Sequence, residues 1–198
     1  MKLSIVDPKE AEDLVPRISE YANSQNKVSQ ADLFANHPFH ARMEKFSRRI
    51  LAPAQEGSFN QTKWFYERAR GQYGDAQAYL TRGEKKAFLA EYPKNQKFAK
   101  TDLAKYAMVW TDKAYFVNRG AQKNFAEFAK EIARMWTEND LQFNEHYYKT
   151  LIAQKIIWDT TERIIPQMEW YEAGGYRSQH VVLTIGLIAE ATRQCKKK

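Results

Sequence analysis

A chain of 198 residues with 43% apolar and 14% aromatic side chains carries enough hydrophobic material for a packed core, which excludes a disordered polymer and sets the expectation of a single domain spanning 1–198. The lone cysteine, Cys195, excludes an internal disulfide and a cysteine-rich zinc site. The formal charge of +7 favours an acidic partner, although Lys196, Lys197 and Lys198 belong to a stretch, 194–198, expected to be a disordered basic tail.

Asp7-Pro-Lys-Glu10 has the form of a helix start, with an acidic N-cap, proline at the first helical position and Glu three residues beyond the cap. The helix is expected to reach about Ala22, after an extended opening over Lys2 to Val6. Ser29 and Asp32 begin a short helix that Pro38 interrupts. Phe39, Met43, Phe46 and Ile50 then recur along one helical face, beside a basic stripe of Arg42, Lys45 and Arg49 joined by Arg48. Residues 53–60 read as a loop. Lys63 to Tyr66 reads as extended and leads into a helix over Gly71 to Leu80. Thr81-Arg-Gly-Glu84 is a capping box for a helix that ends before Pro93, and Thr101-Asp-Leu-Ala104 caps the next. Phe125, Phe128, Ala129, Ile132 and Trp136 keep the spacing of an amphipathic helix starting at Gly120 or Gln122. A longer helix is expected from Asn144 to Ile165, stopped by Pro166. Gly174-Gly175 is a turn, and Arg177 to Arg193 reads as a deeply buried last helix in which Val181 to Ile185 could also pass for a strand. The fold class is mainly α, an irregular multi-helix domain with at most a few short strands.

The chain carries few of the residue patterns that catalysis requires. His37, His40 and Glu44 have a spacing that could put three metal ligands on one helix face, but Pro38 places His37 outside the helix, where capping or packing is the expected role. No phosphate-cradling glycine loop and no Cys–His or Ser–His arrangement is present. No catalytic residue, metal ligand or cofactor is therefore assigned, and catalysis by this chain alone is not expected. The longest apolar stretch, Val181 to Ala189, is far below the roughly 20 residues of a membrane-spanning helix, and no signal peptide follows Met1. A cytoplasmic protein with no membrane partner is expected.

Trp64-Phe-Tyr-Glu-Arg-Ala-Arg-Gly-Gln-Tyr73 concentrates four aromatics and two arginines in ten residues. Aromatic faces and planar guanidinium forks suit nucleotides and phosphates; the same residues suit a buried cluster whose arginines pair with Glu67 and other acids. Taken with Asn23-Ser-Gln-Asn-Lys-Val-Ser29, Asp32-Leu-Phe-Ala-Asn-His-Pro-Phe-His40, Lys100-Thr-Asp-Leu-Ala-Lys105, Gly120-Ala-Gln-Lys-Asn-Phe125 and Gly174-Gly-Tyr-Arg177, the run resembles the abortive infection phage resistance (AIPR) family, matching it in order from about Asn23 to Arg177. The resemblance implies an intracellular role in defence against bacteriophage. It also implies larger parent proteins, of which this chain reads as an excised fragment with the parent's remaining domains as partners.

The leading reading is a non-catalytic recognition or regulatory module that binds DNA or RNA. Arg48, Arg49, Arg68 and Arg70 would neutralise phosphates, and Trp64 or Tyr73 would stack on an unpaired base. Two alternatives stand beside it. One is a structural or protein-interaction domain with no nucleic-acid binding. The other is a nuclease whose carboxylates, such as Glu67, Asp75 or Asp102, converge only in the fold.

Overall fold

The computed structural model describes residues 34–53, 61–172 and 176–195. The expected extended opening, the helix from Asp7, the start of the short helix at Ser29 and Asp32, most of the 53–60 loop, the Gly174-Gly175 turn and residues 196–198 lie outside them. Helix α1, Pro38–Arg49, starts where Pro38 needs no N–H partner, and His37 Nδ1 accepts from the Phe39 N–H at 3.3 Å. His37 is thus a cap. Phe39 and Met43 are fully buried, with Phe46 and Ile50 packed behind them.

Strand β1, Phe65–Glu67, pairs in parallel with β2, Lys97–Ala99, with Tyr66 opposite Phe98. A parallel pair needs a crossover, supplied by the short α2, Gln72–Asp75, and by α3, Arg82–Glu91. The strand overlaps the expected Lys63–Tyr66 span but starts two residues later and ends one residue later, and the expected Gly71–Leu80 helix is cut to four residues. Gly71 takes a left-handed φ of 86° as its cap, and beyond Asp75 the chain continues in turns through Tyr79. The expected capping box at Thr81 forms in full.

Helix α4, Lys100–Met108, follows β2 directly. Its cap bond comes from Asp102, whose Oδ2 accepts from the Ala99 N–H at 3.2 Å, so Thr101 sits inside the first turn and does not cap. A 3₁₀ segment, Ala114–Arg119, leads to α5, Ala121–Glu138. Gly120 precedes it at φ 102° and ψ 149°, a region that residues with a Cβ avoid. Gly120→Ala should therefore cost about 1–3 kcal/mol although nothing lies within 4 Å of the added methyl; a loss below 0.5 kcal/mol in urea unfolding would show that the entry to α5 relaxes freely.

Helix α6, Glu145–Ile164, is capped by Asn144 and ends in a 3₁₀ turn holding Pro166; α7, Arg177–Cys195, packs against it. The expectation of a deeply buried last helix is corrected. Only Val181, Val182, Ile185 and Ala189 are buried, whereas Leu183 and Leu187 are 63% and 72% exposed. An apolar sequence predicts burial, yet α7 meets its neighbours along one face. The helix continues through Gln194 and Cys195, the first two residues of the expected tail.

The main core joins α1, β1, α4, α5, α6 and α7 around Phe39, Tyr66, Phe125 and Phe128. A smaller core holds Phe65, Tyr73 and Tyr92, with Phe88 against them. Between the two lies β1, with Tyr66 in one and Phe65 in the other, so all three of its residues are buried and the alternation of a half-exposed strand is absent.

Candidate functional site

The aromatic and basic run is organised around Glu44. On α1 its carboxylate accepts from Arg68 Nε at 3.0 Å and from the Gln72 side-chain amide, and it lies 3.7 Å from Arg48. Arg68 also donates to the Ala35 carbonyl at 3.1 Å and to Asn36 Oδ1 at 3.0 Å. Gln72 Oε1 accepts in turn from the Arg68 N–H at 3.1 Å, closing the tight chain reversal between β1 and α2. Arg48 donates to Ser47 Oγ and the Tyr66 carbonyl, and its guanidinium lies 3.6 Å from the centre of the Phe65 ring. Burial pulls this guanidinium below its ordinary pKa, opposed by the neighbouring Glu44.

Of the four arginines expected to meet phosphate, Arg48 and Arg68 are therefore tied into the protein. Arg49 and Arg70 are open. Arg49 makes one exposed pair with Glu145 at 3.1 Å, an interaction of small worth, and Arg70 is exposed with no ion pair among the described residues. The two expected stacking residues are core members at 7% exposure each. The Tyr73 hydroxyl donates to the Tyr92 carbonyl at 2.6 Å and its N–H to Glu67 Oε1 at 2.9 Å, while Trp64 packs on Phe98 with the Lys155 ammonium 5.0 Å from its ring.

Two of the three carboxylates of the nuclease alternative have local tasks, while Asp75 lies exposed on α2. Glu67 supports Tyr73 and lies 3.4 Å from Lys97, and Asp102 caps α4 beside Lys105. Among the described residues no three His, Cys, Asp or Glu side chains form a group able to hold a metal.

His40, beside these residues, is fully buried. Its Nδ1 shares a 2.5 Å hydrogen bond with the Tyr66 hydroxyl, and its ring lies among Phe34, Phe39, Phe125 and Phe128. Burial pushes its pKa down to about 3, with His37, Lys100 and Arg68 adding to the effect. Burial likewise raises the Tyr66 hydroxyl well above its usual range.

Trp64 also forms part of the wall of a cleft of about 460 Å³ that the sequence did not reveal. Asn95 and Gln96, from the 3₁₀ turn Lys94–Gln96, line it from one side; Asp159, Thr160 and Arg163 of α6 line it from the other. Gln96 is 4% exposed with Oε1 unpartnered, and the Trp64 indole N–H has no acceptor. Lys155 is held at 2.5 Å by Asp159. The sequence signal was slight: amides after a proline, and polar residues within one turn of an otherwise apolar helix. A second cavity of about 620 Å³ lies between α4, α5 and α6, with an apolar floor that includes Phe128 and Leu151. At its rim Lys113 bridges Glu127 and Glu131.

The described residues define a mainly α domain of irregularly arranged helices with two short parallel strands. Residues 1–197 match the family described as AIPR protein, and the chain belongs to that family, which places it in abortive infection, a phage-resistance function. No curated protein and no solved structure matches the chain. Among the described residues no helix is long and apolar enough to cross a membrane.

Proposed function

We propose that this AIPR domain is a non-catalytic recognition or regulatory module of a phage-defence protein and that it binds nucleic acid through its exposed cations. The observation that carries the reading is the set of charges left over once the internal ion pairs are made. Lys45, Arg70, Lys94 and Arg163 are exposed, and their charged groups meet no carboxylate among the described residues. Arg49 joins them at the cost of one weak surface pair. The Glu44 network supports the same reading indirectly, because it engages Arg48, Arg68 and Gln72 and leaves Arg70 exposed outside its bonds.

Single-stranded RNA or DNA should shift in a gel at low salt, with affinity falling steeply as salt rises because each neutralised phosphate releases counterions. Replacing Arg49 and Arg70 together with alanine should weaken all sequences about equally, lower the salt slope by about two and leave the fold intact. No shift at 50 mM salt, or an unchanged slope in the double variant, would turn the reading toward protein interaction. One observation already favours that second reading: Leu183, Leu187, Ile188 and Trp170 expose apolar surface on and beside α7.

A further inference from the structure

Trp64 and Tyr73 are core members, yet the crossover between β1 and β2 puts another aromatic ring in solvent. Tyr79, between α2 and α3, is 99% exposed, and its side chain makes no hydrogen bond, ring contact or cation contact among the described residues. The backbone sets its position. Gln77 N–H donates to the Gly74 carbonyl at 2.9 Å, Leu80 N–H donates to the Gln77 carbonyl at 3.3 Å, and the Gln77 side-chain amide donates to the Tyr73 carbonyl at 2.7 Å. The capping box at Thr81 fixes the chain on the other side. Burial of an aromatic ring is among the largest gains open to a folding chain. A ring held wholly in water contributes no packing to the fold and is open to a partner.

Cations follow it directly. Arg82, Lys85 and Lys86 stand at i, i+3 and i+4 of α3, a spacing that sets them on one side of the helix. All three are exposed, and no carboxylate pairs with them among the described residues. Glu84, the acid among them, is occupied by the cap: its Oε2 accepts from the Thr81 N–H at 2.8 Å and from the Thr81 hydroxyl at 2.7 Å. Residues 82–87 are all exposed, and α3 reaches the small core through Phe88 and Leu89 near its end. A basic helix face by itself is ordinarily a solvated one. The unpacked ring at its head is what solvation does not require. An acidic peptide would use the cations without the ring, and a duplex keeps its bases stacked inside, whereas a single strand offers both a free base face and a phosphate path. We infer that Tyr79 stacks on an unpaired base of a single-stranded nucleic acid whose phosphates run along Arg82, Lys85 and Lys86. The inference deepens the nucleic-acid reading, rests on it, and names the form of strand that is bound.

Fluorescence anisotropy of labelled single-stranded DNA, single-stranded RNA and duplex DNA, with inorganic polyphosphate as unlabelled competitor, tests it on the whole chain. Tyr79→Ala should weaken single strands by roughly fivefold or more. It should leave duplex and polyphosphate binding nearly unchanged and the salt slope intact, since no charge is lost. Tyr79→Trp should restore single-strand affinity. Replacing Arg82, Lys85 and Lys86 together with alanine should weaken single strands, duplex and polyphosphate alike and lower the single-strand salt slope by about two. Neither change removes a packed or ion-paired group, so both variants should unfold at the temperature of the unmodified protein. A Tyr79→Ala loss confined to DNA or to RNA supports the surface and assigns the strand. Unchanged single-strand binding by Tyr79→Ala, or an equal loss on duplex, would overturn the stacking; an unchanged slope in the triple variant would overturn the phosphate path. Strand binding that survives both changes but is weakened by replacing Arg49 and Arg70 keeps the polyanion reading and removes this surface. No binding of any strand by the unmodified protein at low salt overturns both.

Discussion

Glu44→Ala is expected to destabilise the domain by about 2–3 kcal/mol, a large share of the 5–15 kcal/mol by which a domain of this size is usually stable. The reason is the number of groups stranded by one deletion. Arg68 loses its carboxylate, Gln72 loses its acceptor, and Arg48 keeps its contact with the Phe65 ring but loses its nearest negative charge. Removing one member of a buried pair costs more than the pair contributes, because the remaining charge stays desolvated. The side chains of Glu44, Arg48 and Arg68 are 19%, 30% and 27% exposed, which holds the expected value below the 3–5 kcal/mol of a fully buried pair. Glu44→Gln can still accept from Arg68 and should lose only about 1 kcal/mol. Arg70→Ala, with no partner to strand, should stay within about 0.5 kcal/mol. Urea unfolding of the three variants provides the comparison, and equal stability of Glu44→Ala and Arg70→Ala would show that the network contributes nothing.

The same network shows what sequence can and cannot reveal. The face formed by Phe39, Met43, Phe46 and Ile50, the capping box at Thr81 and the spacing of Phe125, Phe128 and Ile132 are local patterns, and each appears in the structure as expected. They are legible because helix periodicity and capping depend on residues within one or two turns. The environment of the Trp64–Tyr73 run depends instead on β2, about thirty residues later, and on α1, about twenty residues earlier. Parallel pairing with Lys97–Ala99 puts Tyr66 and Phe65 into two different cores, and no local pattern announces a strand buried on both faces. The same long-range placement decides which arginines are free: Arg68 is claimed by Glu44 across 24 positions, while Arg70, two residues later, is not. In α7 the opposite error arises. Its apolar composition suggests full burial, whereas composition alone does not say how many neighbours a helix has. The Trp64 cleft was illegible for a related reason, since its amides and its acid and cation come from segments about sixty residues apart.

Acidification from pH 7 to pH 5 is expected to remove about 2 kcal/mol of stability through His40 alone. In the unfolded chain this imidazole titrates near 6.5, and in the fold near 3. As pH falls through 6.5 the unfolded state takes up a proton that the native state refuses, so stability falls with pH and continues to fall until the native group itself is protonated near pH 3. Each pH unit within that window contributes about 1.4 kcal/mol, less near its upper edge. The cause is physical and local. The ring is fully buried among phenylalanines, and the cations Arg68 and Lys100 and the neighbouring His37 oppose a positive charge there. His37, itself lowered by burial, adds to the loss with the same sign. Most of the range from pH 6.5 to pH 5 lies above ordinary carboxylate titration, so the effect is separable from the loss of ion pairs at lower pH. His40→Phe combined with Tyr66→Phe removes both members of the buried hydrogen bond at similar volume, a change that leaves no polar group stranded. Urea midpoints measured at pH 7 and pH 5 should therefore differ strongly in the unmodified protein and much less in the double variant. A loss under 0.5 kcal/mol in the unmodified protein, or an equal loss in both proteins, would show that His40 gains access to protons without unfolding.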